Sequence, residues 1–212
     1  VFGAPETFTI LTVCTANVCR SPLAEAVLTQ WAGTHPEVTV SVGSAGADAE
    51  PGQPMCPQSA ALAHAGETAA ATHRARELTA DLLAGADLVL VADRTHRSAA
   101  ARLAPRCRPR LFTLTQAADL AEAVAAHLQK GELPEGAPSL PTVPEERLRW
   151  LVAEMDAARG VRAGLPDEAD DIPDDHGQHP HEATLQQVRD ATARITAAVT
   201  GLVLAPAGTL VG

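Results

Sequence analysis

Between Thr7 and Trp31 the chain passes from an apolar strand through a short polar loop into a helix. Thr7 to Val13 (TFTILTV) is β-branched and apolar, the composition of a strand buried in a parallel sheet. Ser21 to Trp31 (SPLAEAVLTQW) reads as a helix, with Ser21 suited to the N-cap and Pro22 to the first helical position. Leu23, Val27, Leu28 and Trp31 recur at helical spacing. A strand that runs straight into a helix places its loop outside the carboxyl end of the strand. That is where open α/β sheets bind ligands.

The pattern repeats downstream. Val38 to Val42, Asp87 to Ala92 and Arg110 to Leu114 read as strands. They are separated by the loop Gly46 to Pro57 and by helical stretches at Gln58 to Ala65, Thr79 to Ala84 and Arg94 to Leu103. Such alternation predicts an α/β fold with a parallel sheet covered on both faces. After Thr115 the strand signal stops. Helices are expected at Ala117 to Gln129, Glu145 to Arg159 and Glu182 to Val203. A proline-rich loop spans Gly131 to Pro144, and an acidic, histidine-containing loop spans Gly164 to Pro180. Leu148, Leu151, Val152 and Met155 fall on one helix face and read as core. At 212 residues, 1–212 is read as a single domain.

Composition narrows the function. With 46% hydrophobic and 20% charged residues, the chain is ordinary globular material, not a disordered or collagen-like one. No apolar run approaches the roughly 18 residues needed to span a bilayer, so no membrane partner is expected. The net charge of -10 opposes nucleic-acid binding, which needs Lys and Arg against phosphate. Aromatics at 2%, with tyrosine absent, leave little to stack on bases. The four cysteines Cys14, Cys19, Cys56 and Cys107 form no CxxC pair, so their spacing does not predict zinc. The start lacks the basic stretch of a signal peptide, and a reduced, cytoplasmic, monomeric chain without cofactor or metal is expected.

The chemistry concentrates in Cys14 to Pro22 (CTANVCRSP). Backbone N–H groups of Thr15, Ala16, Asn17, Val18, Cys19, Arg20 and Ser21 are placed to form a nest for an oxyanion, reinforced by the helix N-terminus. The same field favours a thiolate at Cys14. Arg20, six residues on, can fork two hydrogen bonds onto phosphate oxygens. Nucleophile, anion cradle and planar cation together suit phosphoryl transfer through a cysteinyl-phosphate. The plainer alternative is a packed structural thiol at a strand end, the usual fate of a free cysteine. C-x5-R alone arises by chance; C-x5-R-S-P between a strand and a helix is far more specific.

Cys14 to Glu25 (CTANVCRSPLAE) resembles the phosphate loop C-x-G-N-x-C-R-S-P-x-A-E of the low-molecular-weight protein tyrosine phosphatases. Val42 to Gly46 (VGSAG), His73 to Leu78 (HRAREL), Ala86 to Leu90 (ADLVL) and Asp171 to Asp174 (DIPD) resemble later parts of the same family. The resemblance implies a four-stranded sheet ordered 2-1-3-4 and hydrolysis of phosphotyrosine on proteins. Cys14 would be the nucleophile, Arg20 the phosphate clamp and Asp174 the general acid and base. Asn17 would hold the loop through Ser44, Ser21 would bond the Cys14 sulfur, and His73 would support the loop from behind. Cys19 would be the thiol able to trap Cys14 as a reversible disulfide. Residues 121–165 form a helical insert longer than the family usually needs.

The sequence departs from the family pattern at two places. Ala16 stands where the family has glycine, which usually means a positive φ or a close backbone approach to a ligand; alanine at positive φ would cost about 1 kcal/mol, and its methyl would narrow the loop. Asp175 and His176 replace a proline and an aromatic residue, leaving His176, or more remotely Trp150, to wall the substrate pocket. Val18 occupies the position where the family's protein-arginine phosphatases carry threonine, which favours phosphotyrosine over phosphoarginine. Arsenate reductase, which shares the loop, needs further thiols near the nucleophile, and Cys56 and Cys107 are isolated in sequence. A catalytically weak phosphate-binding module is the reading from a different class. Asp170, Asp171, Asp174 and Asp175 crowd like charges, which favours protonation of one member; Asp170 and Asp171 read as solvated. His176, His179 and His181 lack helical ligand spacing and read as surface residues.

Overall fold

The computed structural model describes residues 7–63, 71–162, 170–174 and 181–203. Four strands, β1 (Phe8–Cys14), β2 (Val40–Gly46), β3 (Leu88–Val91) and β4 (Leu111–Thr113), form one parallel sheet ordered β2-β1-β3-β4. This is the α/β order 2-1-3-4 that the resemblance implied. All four residues of β3 (LVLV) are buried, because helices cover both faces.

The two faces follow the strand period of two. Ile10, Leu88, Leu90 and Phe112 point into the larger core cluster, with apolar residues of α1 (Arg20–Thr34), α5 (Leu114–Gln129), α6 (Pro144–Ala157) and α7 (His181–Val203). Leu11, Val13, Val89, Val91 and Leu111 face the smaller one, with Leu83 of α3 (Ala80–Gly85) and Ala100 of α4 (Arg94–Leu103). A short helix, α2 (Pro57–Leu62), follows the β2 loop. Thr79, Asp93 and Thr113 cap α3, α4 and α5 through their side chains, satisfying amides that a helix start leaves without partners.

The Leu148, Leu151, Val152 and Met155 stripe of α6 is buried in the larger cluster. At the amino-terminal edge of the sheet, Glu145 accepts the Thr39 amide at 2.7 Å, and Arg149 reaches Thr7 O at 3.3 Å and Asp87 at 3.1 Å. Trp150 is buried here, donating to Pro138 O at 3.0 Å. The phosphate loop leaves the opposite, carboxyl end of β1, so Trp150 does not wall a pocket there. Among the described residues no helix is long and apolar enough to cross a membrane.

Candidate active site

The loop after β1 is held by its carbonyls. Ala47 N–H donates to Cys14 O at 2.8 Å and Asp48 N–H to Thr15 O at 3.0 Å. His73 Nε2 donates to Asn17 O at 2.8 Å, Cys56 N–H to Val18 O at 2.9 Å, and Ser59 Oγ to Cys19 O at 3.1 Å. In a trans peptide the next N–H points opposite the carbonyl, and no described peptide is cis. Anchoring these carbonyls therefore turns the amides of Thr15, Ala16, Val18, Cys19 and Arg20 away from those partners, as a cup for an anion requires.

Asn17 makes the turn. It carries φ 55°, the one positive value outside glycine among the described residues. Asparagine tolerates this left-handed conformation better than most side chains. The strain expected at Ala16 is therefore absent: the left-handed residue is its neighbour, and Ala16 is half-buried. The fully buried Asn17 side chain donates to Ser44 Oγ at 2.7 Å and Ser21 Oγ at 2.9 Å, and accepts the Arg76 amide at 3.0 Å. Ser44 in turn donates to Glu25.

Gly46 makes the close approach possible. A Cβ there would sit 2.4 Å from Thr15 O and 2.8 Å from Asn17 N, both backbone atoms that cannot swing aside. Gly46→Ala is expected to destabilise the fold by about 1–3 kcal/mol through overpacking. A denaturant midpoint lowered at constant slope would show it; an unchanged midpoint would mean that the loop yields.

Ser21 does not cap α1. The helix begins at Arg20, with Cys19 at the N-cap and no side-chain cap bond. The Ser21 hydroxyl is turned inward, 3.0 Å from Cys14 Sγ. Ser21 Oγ accepts from Asn17 and has both the sulfur and, at 3.4 Å, Ala45 O within reach of its proton. Cys14 is buried at the carboxyl end of β1.

Arg20 is also buried, although charged. Nη1 donates to Ile172 O at 2.9 Å and approaches Asp93 at 3.4 Å; Nη2 donates to Thr15 Oγ1 at 3.0 Å and to Asp174 Oδ2 at 2.6 Å. Asp174, which is exposed, also accepts from Thr15 Oγ1 at 3.0 Å. The acid candidate thus rests on the clamp candidate over the cup. Among the described residues of the carboxylate cluster, Asp174 and Asp171 pair with different arginines, Arg20 and Arg94. Asp171 is not solvated: it takes the Arg94 amide at 2.8 Å and its guanidinium at 3.0 Å, pinning this segment to the start of α4. Asp170 is half-buried. Asp175, His176 and His179 lie outside the described residues.

Sequence reasoning missed Asp93 and His96. Asp93 ends the loop after β3 and caps α4 through the Thr95 and His96 amides. His96, buried, places Nδ1 2.9 Å from Asp93 and Nε2 3.0 Å from Thr15 Oγ1. Burial alone would raise the Asp93 carboxyl, but His96 and then Arg20 outweigh it and hold it at about 2. An aspartate just past a strand's carboxyl end, three residues before a histidine, is the signal that was available.

Cys56 is not isolated. Its sulfur, the Cys19 sulfur and a His181 ring nitrogen lie within 4.8 Å of one another, and His181 is half-buried rather than a surface residue. Cys107 is buried in the smaller core. A separate cleft of about 560 Å³ lies behind the loop, lined in part by Glu25, Ser44, His73 and Arg76. It touches the supporting network, not the floor of the cup.

The chain belongs to the low molecular weight phosphotyrosine protein phosphatase family, whose sequence profile matches residues 9–130. It is 38% identical over 103 residues to the low molecular weight protein-tyrosine-phosphatase Wzb of Salmonella typhi, covering 49% of this chain and 66% of that protein. It is 37% identical over 107 residues to the protein-arginine-phosphatase of Bacillus subtilis, covering 50% and 70%. The match to the Salmonella relative thus stops just short of two thirds of its length. Among solved structures, YfkJ from Bacillus subtilis superposes with a TM-score of 0.62 at 17% identity, over 93% of this chain and 98% of that one. The YwlE arginine phosphatase from Geobacillus stearothermophilus gives 0.58 at 23%, over 91% and 93%. These structures share the fold.

Proposed function

We propose that the protein hydrolyses phosphotyrosine on protein substrates through a cysteinyl-phosphate. The observation that carries this reading is the buried Cys14 Sγ, 3.0 Å from a serine hydroxyl, at the head of the loop whose Arg20 pairs with Asp174 at 2.6 Å. The phosphate dianion takes the Arg20 N–H groups that Asp174 now holds and displaces the carboxylate to the rim. The Cys14 thiolate attacks phosphorus, forming the S–P bond as the P–O bond to the aryl group breaks. Asp174 gives its proton to the departing phenolate. Water then attacks phosphorus, Asp174 takes the proton, and the S–P bond breaks. Ser21 stabilises the departing sulfur, and the amides and Arg20 stabilise the charge on the transferring group.

Asn17, Ser44 and His73 act as supports of this loop. We assign Cys19 the redox partner role toward Cys14, His176 the pocket wall and residues 121–165 an insert within a single domain.

The test is steady-state hydrolysis of an aryl phosphate from pH 5 to 8, with phosphotyrosine and phosphoarginine as competitors. Asp174→Asn is expected to lower kcat by about 10²-fold and flatten its pH dependence. Wild-type kcat in that variant would remove Asp174 from the mechanism. Similarity to a protein-arginine-phosphatase gives phosphoarginine a place as second reading. Val18, apolar where that class carries threonine, places it second, and the competition decides between them. The approach of Cys56 to Cys19 places a second thiol beside the loop, which keeps arsenate reduction as a further reading. Turnover of arsenate with a thiol reductant, and none of aryl phosphate, would replace the phosphatase reading.

A further inference from the structure

Beside the phosphate loop, three side chains from three separate segments converge. Cys19 belongs to the loop, Cys56 stands at the N-cap of α2, and His181 opens α7. We propose that Cys19, Cys56 and His181 form a binding site for a thiophilic divalent transition-metal ion of the zinc class.

The geometry is close to what such an ion needs. With Zn–S near 2.3 Å and Zn–N near 2.0–2.1 Å, tetrahedral ligands lie about 3.6 Å apart for a sulfur–nitrogen pair and about 3.8 Å for two sulfurs. Cys56 Sγ is 3.5 Å from His181 Nε2. All three ligand atoms lie within 4.8 Å of one another, so shifts of about 1 Å or less close the set. Two thiolates and an imidazole select zinc-class ions over magnesium or calcium, which take oxygen ligands. Three protein ligands leave a fourth position for water.

Cys19 lies in the larger core cluster and Cys56 packs against it. Cys56 accepts the Ser59 amide at 3.4 Å and so caps α2, yet serine, threonine, aspartate and asparagine are the side chains favoured for that task. A cysteine there gains nothing as a cap. Because Cys19 lends its backbone to the phosphate cup, an ion on its sulfur would sit next to that cup.

The probe is Co²⁺ titrated into the reduced 212-residue chain under anaerobic conditions, with Zn²⁺ as competitor. One equivalent is expected to produce a thiolate-to-cobalt charge-transfer band and tetrahedral d–d bands, both abolished by Zn²⁺. Cys56→Ser keeps a good helix cap, so its fold is safeguarded. It is expected to weaken the ion by more than the roughly 10–100-fold that loss of an outer partner costs, and His181→Ala likewise. Cys14→Ser should leave the titration unchanged. Absence of the charge-transfer band, its persistence in Cys56→Ser, or its loss in Cys14→Ser would each overturn the proposal. Every readout is metal binding, so the result stands apart from the outcome of the phosphatase assay.

Discussion

Cys14→Ser is expected to lower turnover of an aryl phosphate by roughly 10⁴–10⁶-fold, the scale on which removal of an enzyme's nucleophile acts. The reason is chemical rather than steric. A serine hydroxyl fits the floor of the cup but needs a base to become a nucleophile, and the group at 3.0 Å is another hydroxyl, Ser21. The amides turned into the cup and Arg20 remain, so inorganic phosphate should bind the variant about as well as the wild type. Calorimetry with phosphate, beside the hydrolysis assay, separates the two effects. Turnover surviving in Cys14→Ser would mean that the reaction does not pass through this sulfur. Loss of both turnover and phosphate binding would mean that the cup itself had collapsed.

Arg20→Lys is expected to lower kcat by about 10³-fold, at or near the upper end of what one lost charge-stabilising donor costs. The guanidinium bonds in two directions at once. Nη1 is held by Ile172 O at 2.9 Å and Nη2 is offered to the cup, where Asp174 now occupies it at 2.6 Å. A lysine ammonium is a point charge without that planar fork. It can face Asp93 or the phosphate, not both in fixed geometry. Because Arg20 is buried against the half-buried Asp93, stability should be measured on the same variant. A folded Arg20→Lys protein with wild-type kcat would show that a donor pair other than Arg20 carries the transferring phosphate.

Much of this site was legible because its parts are close in sequence. Cys14, Asn17, Arg20 and Ser21 fall within eight residues, and strand-to-helix connectivity fixes them at one end of a sheet. Local order did not say which way each side chain turns. Ser21 reads as a helix cap because serine favours that place, yet the buried sulfur and Asn17 claim its hydroxyl. Ala16 reads as the strained residue because glycine is usual there, yet the left-handed turn falls on Asn17, whose side chain is locked by Ser44 and Arg76. Asp171 reads as solvated because its neighbours are acidic, yet Arg94, 77 positions away, binds it.

The sequence by itself determined the alternating α/β architecture, the parallel sheet and the phosphate loop. Each rests on short-range information: strand composition, helical spacing and a motif within one turn of chain. Only the tertiary structure decided what depends on contacts between distant segments. It buried Trp150 at the end of the sheet opposite the loop, set His96 against Thr15 across 81 positions, and brought Cys56 and His181, 125 positions apart, to 3.5 Å beside Cys19. Periodicity and spacing carry no signal for such pairs, because the sheet order and helix packing that join them are settled by burial of the whole core.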